Sequence, residues 1–125
     1  MKTGTTRETP KNENDAADPS SEQGRRTEEQ LYVMLIERGK TYNRINGETV
    51  RKHVDRIRHL DDEGKLVLCG STKGYTGVGG MIIFRAGSRE EAEDICKAEP
   101  FVTGGFATYK LFTMRPGTRE NNYLL

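Results

Sequence analysis

Proton chemistry near neutral pH falls first to histidine, and this chain has two, His53 and His59, both within "VRKHVDRIRHLDDEGKL", residues 50–66. The spacing of Val50, Val54, Ile57 and Leu60 predicts an amphipathic helix there. His53 lies three residues after Val50 and four before Ile57, so it shares the apolar face that packs on the sheet. His59 falls with Lys52, Asp55 and Asp62 on the opposite, solvated side. A histidine on an inner face is either satisfied by backbone or water, or poised as an acid and base. In the second case a carboxylate on one ring nitrogen would fix the tautomer and support the imidazolium.

Arg51, beside His53, carries the planar fork that suits a carboxylate or phenolate, and is otherwise a surface helix arginine. Ser71 and Cys69 sit at the end of a predicted strand, near where a pocket should open, with no base placed beside them by any motif. Strand alternation puts Cys69 and Ser71 on one side and Leu68 and Gly70 on the other, leaving open which pair faces the helices. Cys69 and Cys96 are far apart, show no metal-ligand spacing, and read as buried thiols in a reducing cytoplasm. The stretch "GSTKGYTGVGG" lacks the GxxxxGK[ST] spacing and joins two strands rather than opening a helix. It reads as a flexible hairpin loop, with Tyr75 as loop. No metal or cofactor is called for by these residues.

The elements that must position these groups follow in order. "QLYVMLIERG" is a first strand, and after the linker "KTYNRIN" the helix runs from Gly47 to Glu63, closed by Gly64. "KLVLCGS" and "MIIFRA" are the second and third strands, joined by the glycine-rich loop. "SREEAEDICKAEP" is a second helix, with Ser88 and Glu91 in a capping-box pattern, Ala92, Ile95 and Cys96 buried, and Pro100 as its stop. "FATYKLFTM" is the fourth strand. The order β-α-β-β-α-β predicts an α+β, ferredoxin-like fold with an antiparallel sheet. The expected divisions are a disordered tail over 1–29, a domain over 30–116 and a short C-terminal tail over 117–125.

An antiparallel sheet with one wet face should alternate apolar and polar residues, yet "LYVMLI", "LVLC" and "MIIF" are apolar at consecutive positions. Two helices cover one face only. The second face is therefore expected to pack on another copy of the chain, giving a homodimer joined sheet to sheet, with the terminal "YLL" adding to the contact.

Twenty basic residues against nineteen acidic leave a formal charge of +1, without the electrostatic footprint of a nucleic-acid or anionic-membrane binder. The third strand offers aliphatic side chains where an RNA-recognition sheet needs rings for base stacking. No run approaches the ~20 apolar residues of a membrane span, and the N-terminal stretch has no apolar segment of the signal-peptide kind. The expectation is a soluble, cytoplasmic protein that takes a small-molecule ligand.

Several pieces in register resemble the YCII-related (YciI-like) family of dimeric α+β-barrel proteins: "LYVMLIE", Arg51 and His53 early in the first helix, "LDDEGKLVLCG", "SREEAEDICKAEPFVTGGF" and the closing "MRP". Two departures stand out. Gly70-Ser71 occupies the place of the family's usual Gly-Pro, and Glu99-Pro100-Phe101 that of its usual Asp-Pro-aromatic. The resemblance implies a small cofactor-independent enzyme in which His53 is the acid/base and Glu99, in the position of the family's aspartate, orients it. Glu37, at the end of the first strand, is the second candidate for that partner. Arg51, with Glu37 and Ser71 at the cleft, would hold a small anionic or aromatic substrate. The implied chemistry is lyase-like or isomerase-like proton transfer, including the dehydrochlorination of a chlorinated hydroquinone by one relative. The alternative is a non-catalytic dimer of the same fold that binds a small ligand or a partner through the same cleft.

Overall fold

A computed structural model describes residues 30–74 and 76–125. The expected tail over 1–29 and the loop residue Tyr75 lie outside the described residues. The first strand, β1, spans Gln30–Arg38 and leads through a 3-10 turn at Tyr42–Arg44 to helix α1, Gly47–Asp62. Strands β2 (Leu66–Ser71) and β3 (Val78–Ala86) follow, then helix α2 (Arg89–Lys97), a four-residue helix α3 (Pro100–Thr103) and strand β4 (Ala107–Met114). A second 3-10 turn, Asn122–Leu124, ends the chain.

Capping explains where the helices begin. The Asn46 side chain accepts a hydrogen bond from the Thr49 N–H at 2.8 Å and starts α1, and Ser88 does the same for the Glu91 N–H at 3.0 Å in α2. The reciprocal half of the expected capping box is altered. The Glu91 carboxylate reaches past Ser88 to the Gly87 N–H and also pairs with Lys65. These two hydrogen bonds, Lys65 first, hold its pKa below the ordinary carboxylate value. Helix α2 ends at Lys97, and Pro100 does more than stop it: with no N–H to lose and a φ already suited to a helix, it becomes the first residue of α3.

The sheet is antiparallel with strand order β2-β3-β1-β4, the ferredoxin-like arrangement. Its register sorts the side chains. Tyr32, Met34 and Ile36 of β1, Ile82, Phe84 and Ala86 of β3, and Ala107 and Leu111 of β4 form a buried core with Leu60 of α1 and Ala92, Ile95 and Cys96 of α2. Cys69 pairs with Ile82, and Ser71 with Gly80, so this pair of β2 residues takes the helix-facing side.

The opposite face is also apolar. Val33 stands between Ile83 and Phe112, Leu35 beside Met81, and Leu31 beside Met114, with Leu68 next to Ile83 on the edge strand. Leu68 is 64% exposed and Phe112 47% exposed, because none of the described helices covers this side. Among the described residues no helix is long and apolar enough to cross a membrane.

Of the two cysteines, Cys96 is buried as expected, and burial pushes its thiol up to about 12, which keeps it neutral and unreactive. Cys69 departs from the expectation. It lies exposed on the edge strand β2.

Candidate active site

The tripeptide Glu99-Pro100-Phe101 shapes the site from the sheet's helix side. Glu99 is the N-cap of α3, and its Oε1 accepts the Phe101 N–H at 3.3 Å. Its other oxygen, Oε2, lies 2.7 Å from Nδ1 of His53, 46 residues earlier in the chain. Glu99 is 2% exposed, and a carboxylate that deep must have both oxygens engaged. The extra methylene of glutamate over aspartate is thus accommodated without loss of either the cap or the histidine contact.

His53 lies in the second turn of α1, on the inner side that the helix period predicts, but what it faces is α3 more than the sheet. Its side chain is 23% exposed. The Phe101 ring lies flat against the imidazole, with centroids 4.3 Å apart and planes 12° from parallel. Nδ1 is engaged by Glu99, while the other ring nitrogen, Nε2, makes no hydrogen bond to any described residue.

His53 and Phe101 form one wall of a cleft of about 140 Å³, completed by Tyr42, Ser71 and the Gly79-Gly80 backbone. Cys69 also lines it. A cavity of roughly 150 Å³ accommodates a benzene ring, so the cleft suits a single six-membered ring with substituents. Chemically, the arrangement provides an imidazole with one nitrogen held by a buried carboxylate and an aromatic plate beside it.

The remaining sequence candidates are placed as follows. Ser71 lies on the cleft wall. Arg51 is exposed on α1 and lines no part of this cleft, because the helix turns it away from the His53 face. Glu37 points to the other face of the sheet, where its carboxylate accepts the Thr108 hydroxyl at 3.3 Å and lies 3.6 Å from the Lys110 ammonium. It is therefore not the partner of His53. His59 is 60% exposed and pairs with Glu63 at 3.1 Å. Tyr42 and Phe101 were not singled out from the sequence. The one signal for Phe101 was its place directly after Glu99-Pro100, and Tyr42 was hidden in a short polar linker. Among the described residues no cluster of His, Cys, Asp and Glu side chains has the makings of a metal site.

Residues 30–115 match the family model of the YCII-related domain. Among solved structures the fold is similar to 5-chloro-2-hydroxyhydroquinone dehydrochlorinase from Burkholderia phenoliruptrix AC1100, in complex with 2,5-dihydroxybenzoquinone. The TM-score is 0.59 at 17% sequence identity, covering 70% of this chain and 95% of that one. No curated protein sequence matches the chain.

Proposed function

Since the chain belongs to the YCII-related family, we propose that it is a small enzyme that moves protons on a hydroxylated ring, with His53 as acid/base and Glu99 as its orienting carboxylate. The observation that carries this reading is the 2.7 Å contact between His53 Nδ1 and a Glu99 carboxylate that is otherwise out of reach of water. In the proposed scheme Nε2 takes a proton from the substrate, and Glu99 stabilises the imidazolium that results. The electron pair left on the ring is protonated at another carbon, as in an isomerase; where that carbon carries an anionic leaving group, removal of a second hydroxyl proton then expels the group, as in a lyase. His53 then releases its proton to solvent or returns it to the product. A dehydrochlorination of the kind named for the structural neighbour is the second case, with chloride as the anion.

The second, uncovered face of the sheet supports a homodimer joined through Leu68, Ile83, Phe112 and their neighbours. At about 25 cal/mol per Å² of apolar area, leaving such a face wet is unfavourable. Two free thiols, Cys69 and Cys96, accord with a reducing cytoplasm.

The test is turnover of a panel of small hydroxylated and chlorinated phenols and quinones by the full chain. We expect His53→Asn to lower kcat by roughly 10²–10⁴-fold, and Glu99→Gln, which keeps the volume but removes the charge, to lower it by a smaller factor. Turnover that survives His53→Asn undiminished would remove the proton-transfer scheme.

A further inference from the structure

The loop after β1, "RGKTYNRIN", is held rigidly although its sequence reads as a linker. The Arg38 N–H donates to Gly77 and the Gly39 N–H to Phe106, each at 2.8 Å. A Cβ on Gly39 would meet that Phe106 oxygen at 2.7 Å, so the close approach requires glycine. From this anchor the 3-10 turn presents Tyr42 to the cleft.

Three contacts fix the Tyr42 ring. Its edge meets Phe101 at 6.2 Å with planes 72° apart, and the Arg38 guanidinium lies over it, 5.5 Å from the centroid. The third contact is with backbone: a Cβ on Gly79 would come within 2.6 Å of the Tyr42 hydroxyl and 2.8 Å of Cζ. The phenol therefore lies directly on Gly79, which lines the same cleft as His53 and Ser71. The hydroxyl of this half-buried tyrosine makes no hydrogen bond to any described residue, although the polar tip of such a side chain ordinarily finds a partner. On the other side of the loop, Arg38, Lys40 and Asn43 border a hollow that shares Tyr42 with the cleft.

We infer that Tyr42 is a substrate-binding residue: its hydroxyl donates a hydrogen bond to an oxygen of an ionised, hydroxylated ring whose reacting end faces His53. This rests on the reading of the cleft given above and names the class of ligand it takes. As His53 draws a proton from such a ring, negative charge grows on the ring oxygens, and a neutral phenol donor fixed beside them stabilises it without rearranging. Arg38, stacked on the tyrosine, and Lys40 add positive charge on the loop that carries Tyr42, which favours an anionic ligand on approach. The anion contact thus belongs to the loop after β1 and not to Arg51.

The probe is 2,5-dihydroxybenzoquinone, titrated by absorbance and calorimetry against the full-length wild type, Tyr42→Phe, Gly79→Ala, Arg51→Ala and His53→Asn. Loss of a hydrogen bond to a charged oxygen predicts roughly ten- to a hundred-fold weaker binding by Tyr42→Phe, at an unchanged melting temperature because the ring packing remains. Gly79→Ala, which keeps the hydroxyl but displaces it, should weaken binding similarly, and Arg51→Ala should leave it unchanged. If the wild type binds and His53→Asn weakens binding while Tyr42→Phe does not, the inference is overturned and the His53 reading stands. If the wild type does not bind the probe at all, both fall together.

Discussion

The imidazole of His53 and the ring of Phe101 lie nearly parallel, 4.3 Å apart, so the plane of the proposed base is set by a residue only two positions beyond the carboxylate that sets its tautomer. One turn of chain, Glu99 to Phe101, fixes both the direction and the tilt of the ring. This relationship can be read without a substrate. Protons above an aromatic face are shielded, so the His53 ring protons should resonate upfield of those of His59 in the NMR spectrum. Phe101→Leu should abolish the difference while leaving His59 where it was. Equal histidine shifts in the wild type would show that the stack is not populated.

Removing His53 leaves a buried carboxylate with one oxygen unanswered. His53→Ala is expected to cost on the order of 2 kcal/mol in urea unfolding, less than the ~3–5 kcal/mol of a fully buried pair because water reaches part of the imidazole. His59→Ala, on the solvated side, should stay within about 0.5 kcal/mol of wild type. Equal costs for the two would contradict the buried pairing.

A second carboxylate contact ties α2 to β4 and makes stability depend on pH. The Tyr109 hydroxyl donates to Glu93 at 2.5 Å. This bond chiefly holds the Glu93 carboxyl below its ordinary 4.5 and, with burial, pushes the tyrosine up to about 12. The lowered Glu93 value contributes stability above pH 4.5 that is lost as pH falls through the folded value. The raised Tyr109 value contributes stability below pH 10.0 that is lost as pH rises toward about 12. The stability gap between wild type and Tyr109→Phe should therefore be level from about pH 5 to about pH 9 and narrow on both sides. Denaturant midpoints across that range measure it, and a gap independent of pH would show that the bond does not form.

The uncovered sheet face makes a prediction about mass. Wild type should sediment as two chains, and Leu68→Asp or Phe112→Lys, each placing a charge on an exposed position of that face, should yield a folded single chain. A wild type that sediments as one folded chain at micromolar concentration would remove the dimer.

Much of this protein was settled by local pattern. Apolar runs of strand length, the 3.6-residue stripe from Val50 to Leu60 and the Ser88 cap specify the β-α-β-β-α-β order, because strand and helix periods are properties of neighbouring residues. The same periodicity separated His53 from His59. Consecutive apolar residues in β1 and β3 also announced a sheet apolar on both faces.

What the chain alone left open was every choice between residues distant in sequence. Glu99 and Glu37 stand as first and second candidate carboxylates until the pleat sends Glu37 to the Thr108 and Lys110 side and the Pro100 turn seats Glu99 beneath α1. Arg51 is near His53 in sequence and away from it in space, since helix positions two apart point about 200° from one another, on nearly opposite sides. Tyr42, in a polar linker without periodicity, gained its place only through Gly79 and Phe101, which the fold brings from two other elements. Periodicity tells a residue which way to face; only the packing of one element on another decides what it meets there.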